Sequence, residues 1–180
     1  MTFDDGPTNG MLSILDVLAR KNVKATFFVN GLYLLRKGGE REISSFHALE
    51  RMIREGHSIA NHGFDHFGPV DIGPYHDVHA DFKNFIHNAE FIRASIRNVS
   101  NLSLGSSDLL SSVVRLPFTS TWRIPEYIAD CACCTLDFEG QKCKPEFPSN
   151  SSKVSSAVAN KLASNGFSVF GWDVEWEPKN

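Results

Sequence analysis

Residues 25–29 read "ATFFV", a short unbroken apolar run of the kind that forms a strand covered on both faces. The flanking patterns decide what that strand belongs to. Before it, Met11, Ile14, Leu15 and Leu18 recur at i, i+3, i+4 and i+7, which predicts an amphipathic helix that Thr8 or Asn9 would cap. After it, Phe46, Leu49, Met52 and Ile53 predict a second helix ending before Gly56, and "HSIAN" at 57–61 reads as the next short strand. Phe82, Phe85, Ile86, Ala89 and Ile92 predict a longer helix, and "SVVRL" at 112–116 is β-branched and strand-like. Val154, Ala157, Val158 and Leu162 predict a last helix stopped by Gly166, with "FSVFGWDVEW" at 167–176 as a strand. Such a βα series is the signature of an α/β fold built on a parallel sheet or barrel. Segments 98–111 and 139–152, rich in Ser, Asn, Gly and Pro, read as long loops.

At 180 residues and 42% hydrophobic, the chain can bury one sizeable core, and residues 1–180 read as a single domain. Its 18 basic and 21 acidic residues are mixed along the chain for a net charge of -3, which leaves no electrostatic footprint for nucleic acid or an anionic membrane. No apolar run approaches the roughly 20 residues of a membrane span. Only Met1, Thr2 and Phe3 precede the acidic pair Asp4-Asp5, too few for an ordinary strand, so chain is expected upstream of it. Cys131, Cys133, Cys134 and Cys143 match no paired C-x2-C zinc pattern and read as buried or disulfide-bonded thiols. Sequons at Asn98, Asn101 and Asn150 would matter in a eukaryotic secreted protein.

In parallel α/β architectures the active-site groups gather at the carboxyl ends of strands. Four such places carry chemistry: Asp4 and Asp5 in "TFDDGP"; His62 and His66 in "NHGFDH"; Arg115, Pro117 and Phe118 in "VRLPF"; Trp172, Asp173, Glu175 and Trp176 in "GWDVEW". A carboxylate with two imidazoles leaves one position of a tetrahedral ion open for water, the mark of a catalytic rather than a structural site. Asp5, His62 and His66 would supply that set, and the ion would polarise a carbonyl and acidify water, as amide or ester hydrolysis needs. Asp4, at a strand-to-turn junction, would then reach that water as general base. Each piece also has a plainer reading. Asp4-Asp5 could be an acidic turn, HxxxH two unrelated histidines, His57 a hydrogen-bonded structural residue, Arg115 the partner of a carboxylate, and a Trp part of the core. Four coincidences at four successive strand ends are much less probable than one.

In order and spacing, "TFDDGP", "GHSIANHGFDH", "VRLPF" and "GFSVFGWDVEW" resemble the polysaccharide deacetylase family, NodB-homology esterases that remove N- or O-acetyl groups from chitin-like sugars, peptidoglycan or xylan. The resemblance spans nearly the whole chain. It implies a distorted, incomplete (β/α) barrel, an acetylated polysaccharide or oligosaccharide as substrate, and work outside the cytoplasm or at the cell envelope. It also implies Asp4 as catalytic base and Asp5, His62 and His66 as ligands of zinc or another divalent ion such as cobalt. Arg115 would orient Asp4; Pro117 and Phe118 would shape the groove, with the Phe118 N–H on the oxyanion. Trp172 or Trp176 would wall the acetyl pocket, and Asp173 or Glu175 would tune the catalytic acid. Two departures from the family pattern stand out. Phe118 occupies a position where many members have Tyr, a change tolerable for a backbone donor and aromatic wall. The 180 residues also hold no Leu-x-His segment, the family's source of a general acid, so an incomplete C-terminus is expected; His76, His79 and His87 are not assigned that role. Two rivals remain: a hydrolase of another C–N bond in a small amide, and a catalytically silent glycan-binding module.

Overall fold

A computed structural model of the chain describes residues 1–36, 39–66, 78–100, 102–117 and 151–171. In it, β1 (Thr2–Gly6) leads through α1 (Met11–Lys21) to β2 (Thr26–Val29). A 3-10 turn (Gly31–Leu34) and α2 (Ile43–Arg54) follow, then β3 (Ser58–Asn61) and the long α3 (Val78–Ser100). A second short 3-10 turn (Gly105–Ser107) precedes β4 (Val113–Val114), and α4 (Ser151–Ser164) precedes β5 (Ser168–Val169). All neighbouring strands are parallel, in the order β1-β2-β3-β4-β5. Parallel neighbours need crossovers, and right-handed crossovers between sequential strands place their helices on one face of a sheet.

Strand alternation sorts the side chains. Phe27, Val29 and Ile59 face the helices and join Leu15 and Leu18 of α1, Leu49 and Met52 of α2, and Ala89 and Ile92 of α3 in the larger core. Phe85 of α3 meets Val158 and Leu162 of α4 over Val114, Leu116 and Phe167 in a second. Phe28, one residue out of phase with Phe27, faces the other side, where the Arg115 guanidinium sits 4.1 Å from its ring centroid. Arg115 follows β4, yet its Nη1 donates to Thr2 Oγ1 (2.9 Å) and Asp4 Oδ1 (2.8 Å) on β1. In a flat sheet three strand spacings, roughly 14 Å, would separate those strands. The sheet is therefore curved around this arginine, as an incomplete barrel requires.

Several sequence expectations change in detail. Neither Thr8 nor Asn9 caps α1 through its side chain; Gly10 is the N-cap, and the carbonyls of Thr8 and Asn9 accept from the N–H groups of Met11 and Leu12. β1 runs on through Asp4 and Asp5 to Gly6, so the three residues before the pair do not define its length. Residues 98–100 extend α3 and 151–152 begin α4, where Ser and Asn content suggested loop. β4 and β5 are two residues each because pairing reaches only Val113–Val114 and Ser168–Val169; flanking Leu116 and Phe167 are buried by packing instead. Gly166 ends α4 as expected, with φ +87°.

Glu42 caps α2, accepting from the Ser44 N–H and from Arg36. Those bonds, Arg36 first and Ser44 second, favour the charged carboxylate and lower its pKa from 4.5 to about 2. The unfolded chain takes up this proton near 4.5 and the folded chain only near 2, so its stabilisation is complete above the first value and lost as pH falls towards the second. Glu42→Gln is expected to lower the thermal midpoint at neutral pH and flatten its decline across that window. Parallel decline of variant and parent would show that the cap carries none of it.

Candidate functional site

The site begins with an irregularity in β1. Phe3 pairs with Phe27 and Gly6 with Val29, so three steps along β1 oppose two along β2. This is a bulge with one extra residue, and Asp5 within it takes a left-handed φ of +62°. On a regular strand adjacent side chains point to opposite faces. The bulge instead lets both carboxylates serve one strand end, and they go to different partners. Asp4 pairs with Arg115, whose guanidinium is pinned by Thr2 Oγ1, the Phe28 ring and the Gly171 carbonyl at 3.2 Å. Asp5 meets the histidines.

Asp5 Oδ1 lies 3.2 Å from His62 Nε2 and 2.7 Å from His66 Nε2. Ligand atoms of all three residues fall within 4.8 Å of one another. The 3.2 Å spacing matches the edge of a tetrahedron with bonds of about 2 Å, roughly 3.3 Å. On the opposite side of its ring, His62 Nδ1 is 2.9 Å from the Arg115 carbonyl, which can only accept. His62 therefore donates through Nδ1, and a neutral ring turns the Nε2 lone pair towards the Asp5 carboxylate. Two lone pairs facing each other at 3.2 Å call for a proton or cation between them, and a carbonyl that fixes the tautomer is the usual support of a metal-ligating histidine. The donor set fits a divalent ion. His62 is nearly inaccessible, while the Asp5 side chain is 58% exposed, so the cluster is anchored on one side and open on the other. Surrounding protein pushes the Asp5 carboxyl up, but the hydrogen bonds and charge of His62 and His66 outweigh it and hold the group well below the usual carboxylate range.

Buried asparagines set the strand ends. Asn30 Nδ2 donates to the carbonyls of His62 (2.8 Å) and Gly63 (2.9 Å). Asn61 Oδ1 accepts from Gly63 N–H and from Asn88 Nδ2, and Asn88 also bonds Val29 O and Gly31 N–H, joining α3 to the ends of β2 and β3. Sequence reading missed these residues because a single asparagine inside a strand or helix pattern has no local partner to announce it. Burial first and the Asp5 charge second push the Tyr33 phenol up.

His57 is structural. Its Nδ1 accepts from the Ala25 N–H at 3.1 Å, it is 1% exposed, and burial keeps its pKa below the ordinary histidine value. His87, on α3, packs its ring with its centroid 4.4 Å from that of Phe64. Pro117 is buried just after β4. Phe118, Trp172, Asp173, Glu175, Trp176, His76 and the four cysteines lie outside the described residues. Among the described residues no helix is long and apolar enough to cross a membrane.

Residues 1–87, which include Asp4, Asp5, His62 and His66, match the polysaccharide deacetylase family. The chitin disaccharide deacetylase of Vibrio alginolyticus is 34% identical over an alignment of 205 residues that takes in all of this chain and 47% of the relative. The peptidoglycan-N-acetylglucosamine deacetylase PgdA of Listeria monocytogenes is 40% identical over 67 residues, 37% of this chain and 13% of that protein. The chain thus spans about half the length of the first of these relatives or less. Among solved structures, the catalytic domain of a peptidoglycan N-acetylglucosamine deacetylase from Eubacterium rectale shares the fold with TM-score 0.52 at 20% identity, over 96% of this chain and 58% of that one. A Streptococcus mutans CE4 esterase does so with TM-score 0.51 at 21% identity, over 96% and 54%.

Proposed function

Because the chain belongs to the polysaccharide deacetylase family, we propose that it removes acetyl groups from an N-acetylated, or O-acetylated, polysaccharide such as chitin oligomers or peptidoglycan. The observation that carries this reading is the division of labour at the β1 bulge: Asp5 converges with His62 and His66, while its neighbour Asp4 stays apart on Arg115. Asp5, His62 and His66 would hold zinc or another divalent ion such as cobalt. That ion, when bound, supplies Lewis-acid polarisation of the acyl oxygen and acidification of water.

The remaining work falls to the chain. Asp4 accepts the proton of the attacking water as that water adds to the acyl carbon. Arg115 takes one Asp4 oxygen at 2.8 Å, fixing the plane of the carboxylate so that the other oxygen faces the water. Cleavage of the C–N bond, with a proton delivered to the leaving nitrogen by a general acid, releases acetate and a free amine on the sugar. The relatives, named as deacetylases of chitin disaccharide and of peptidoglycan N-acetylglucosamine, support this substrate class. From the resemblance, the Phe118 N–H stabilises the oxyanion, Trp172 or Trp176 walls the acetyl group, and Asp173 tunes the acid. A polymer of this kind lies outside the cytoplasm or in the cell envelope, and there we place the protein's work.

The test is acetate release by the zinc- or cobalt-loaded chain from chitin oligomers and peptidoglycan fragments, measured beside glycan binding. Release from either polymer is the expected result. Binding without turnover would favour a silent glycan-binding module, and turnover confined to small amides would favour the other hydrolase; either result overturns the proposal.

A further inference from the structure

The apolar stripe of α3 carries two asparagines one helical turn apart, Asn84 and Asn88, on a side turned to the strand ends. Asn88 serves the main chain at the end of β2, through Val29 O and the Gly31 N–H, and the Asn61 side chain of β3. Asn84 serves the ligand loop alone: its Oδ1 accepts from the Phe64 N–H at 2.6 Å, and its Nδ2 donates to Asp65 Oδ1 at 2.8 Å. Both partners lie between His62 and His66. The same loop carries two left-handed residues, Gly63 at φ +78° and His66 at φ +62°. A histidine rarely adopts that region, and such a conformation persists only where the surroundings over-determine it. At Gly63 an added Cβ would sit 3.0 Å from Asn84 Oδ1, so the asparagine also closes the space beside the loop.

We propose that Asn84 is a positioning residue for the metal centre. It spends both ends of its amide on holding residues 62–66 in the left-handed path that carries His66 Nε2 to 2.7 Å from Asp5. Its contribution is to metal affinity rather than to the fold, since it is only partly buried and both ends of its amide go to the ligand loop. The inference rests on the reading of Asp5, His62 and His66 as metal ligands.

The test is a titration of the metal-free chain with cobalt, followed by its visible absorption, together with thermal unfolding of the metal-free protein. Asn84→Ala is expected to weaken cobalt binding about 10- to 100-fold, the usual effect of losing a partner that orients the ligands, and to alter the absorption band. Its thermal midpoint without metal should stay near that of the parent. Asn84→Asp alone sets a second carboxylate against Asp65 and should also weaken binding. Combining it with Asp65→Asn exchanges donor and acceptor across the same pair and should recover affinity. Parental affinity and spectrum in Asn84→Ala, or no recovery in the double variant, overturns the inference while leaving the metal centre intact. A parent chain that binds no cobalt overturns the metal-centre reading and this inference with it.

Discussion

Asp4→Asn is expected to lower acetate release by about 10²- to 10⁴-fold, the range a general base supplies, with the bound metal retained. The substitution is isosteric, and an amide oxygen can still accept from Arg115 Nη1, as Asp4 Oδ1 does at 2.8 Å. What it loses is basicity: an amide cannot take the proton from the attacking water. Arg115 is itself held by Thr2, Phe28 and Gly171, so its position should survive the change. Metal content measured beside kcat separates the outcomes. Normal turnover would remove Asp4 from the role of base, and loss of metal would make it a ligand.

The adjacent substitution should do the reverse. Asp5→Asn keeps a side chain that tolerates the left-handed φ of +62° but removes the charge on which His62 and His66 converge. A three-residue ligand set has no spare member, so zinc affinity should fall by more than the roughly 10- to 100-fold that supporting residues carry, with acetate release lost alongside it. Excess zinc should restore part of the activity of this variant and none of that of Asp4→Asn. Equal zinc affinity in Asp5→Asn and the parent would exclude Asp5 from the metal centre. Two neighbouring carboxylates thereby become separable by two measurements.

That separation shows where local pattern stops. Apolar periodicity at Met11, Leu15 and Leu18, and the unbroken "ATFFV", were enough for the βα alternation, because burial of one helix face or of both strand faces writes itself into nearby residues. Asp5, His62 and His66 could be picked out as candidate ligands because a ligand's chemistry is its residue type and strand ends are where such types gather, and the structure brings their ligand atoms within 4.8 Å of one another. The bulge was not legible: it exists only as three steps of β1 against two of β2, a relation between segments more than 20 residues apart in sequence. Local pattern did not carry the reach of Arg115 to Thr2 and Asp4, 113 and 111 residues away, since sheet curvature decides it; for Asp4 the family resemblance alone implied it. The asparagines at 30, 61, 84 and 88 were silent for the same reason. A polar side chain inside an apolar pattern is a cost until its partners are known, and those partners include backbone groups of segments distant in sequence.

By itself, then, the sequence determined the class of fold and the residue types at the strand ends, since both follow from short-range periodicity and side-chain chemistry. The division between the two adjacent carboxylates was already implied by the family resemblance; only the tertiary structure decided how it is achieved, through a bulge that sends Asp5 to the histidines and a sheet closure that brings Arg115 to Asp4. An extra residue in one strand and the closing of the sheet are properties of paired backbones, which no single segment contains.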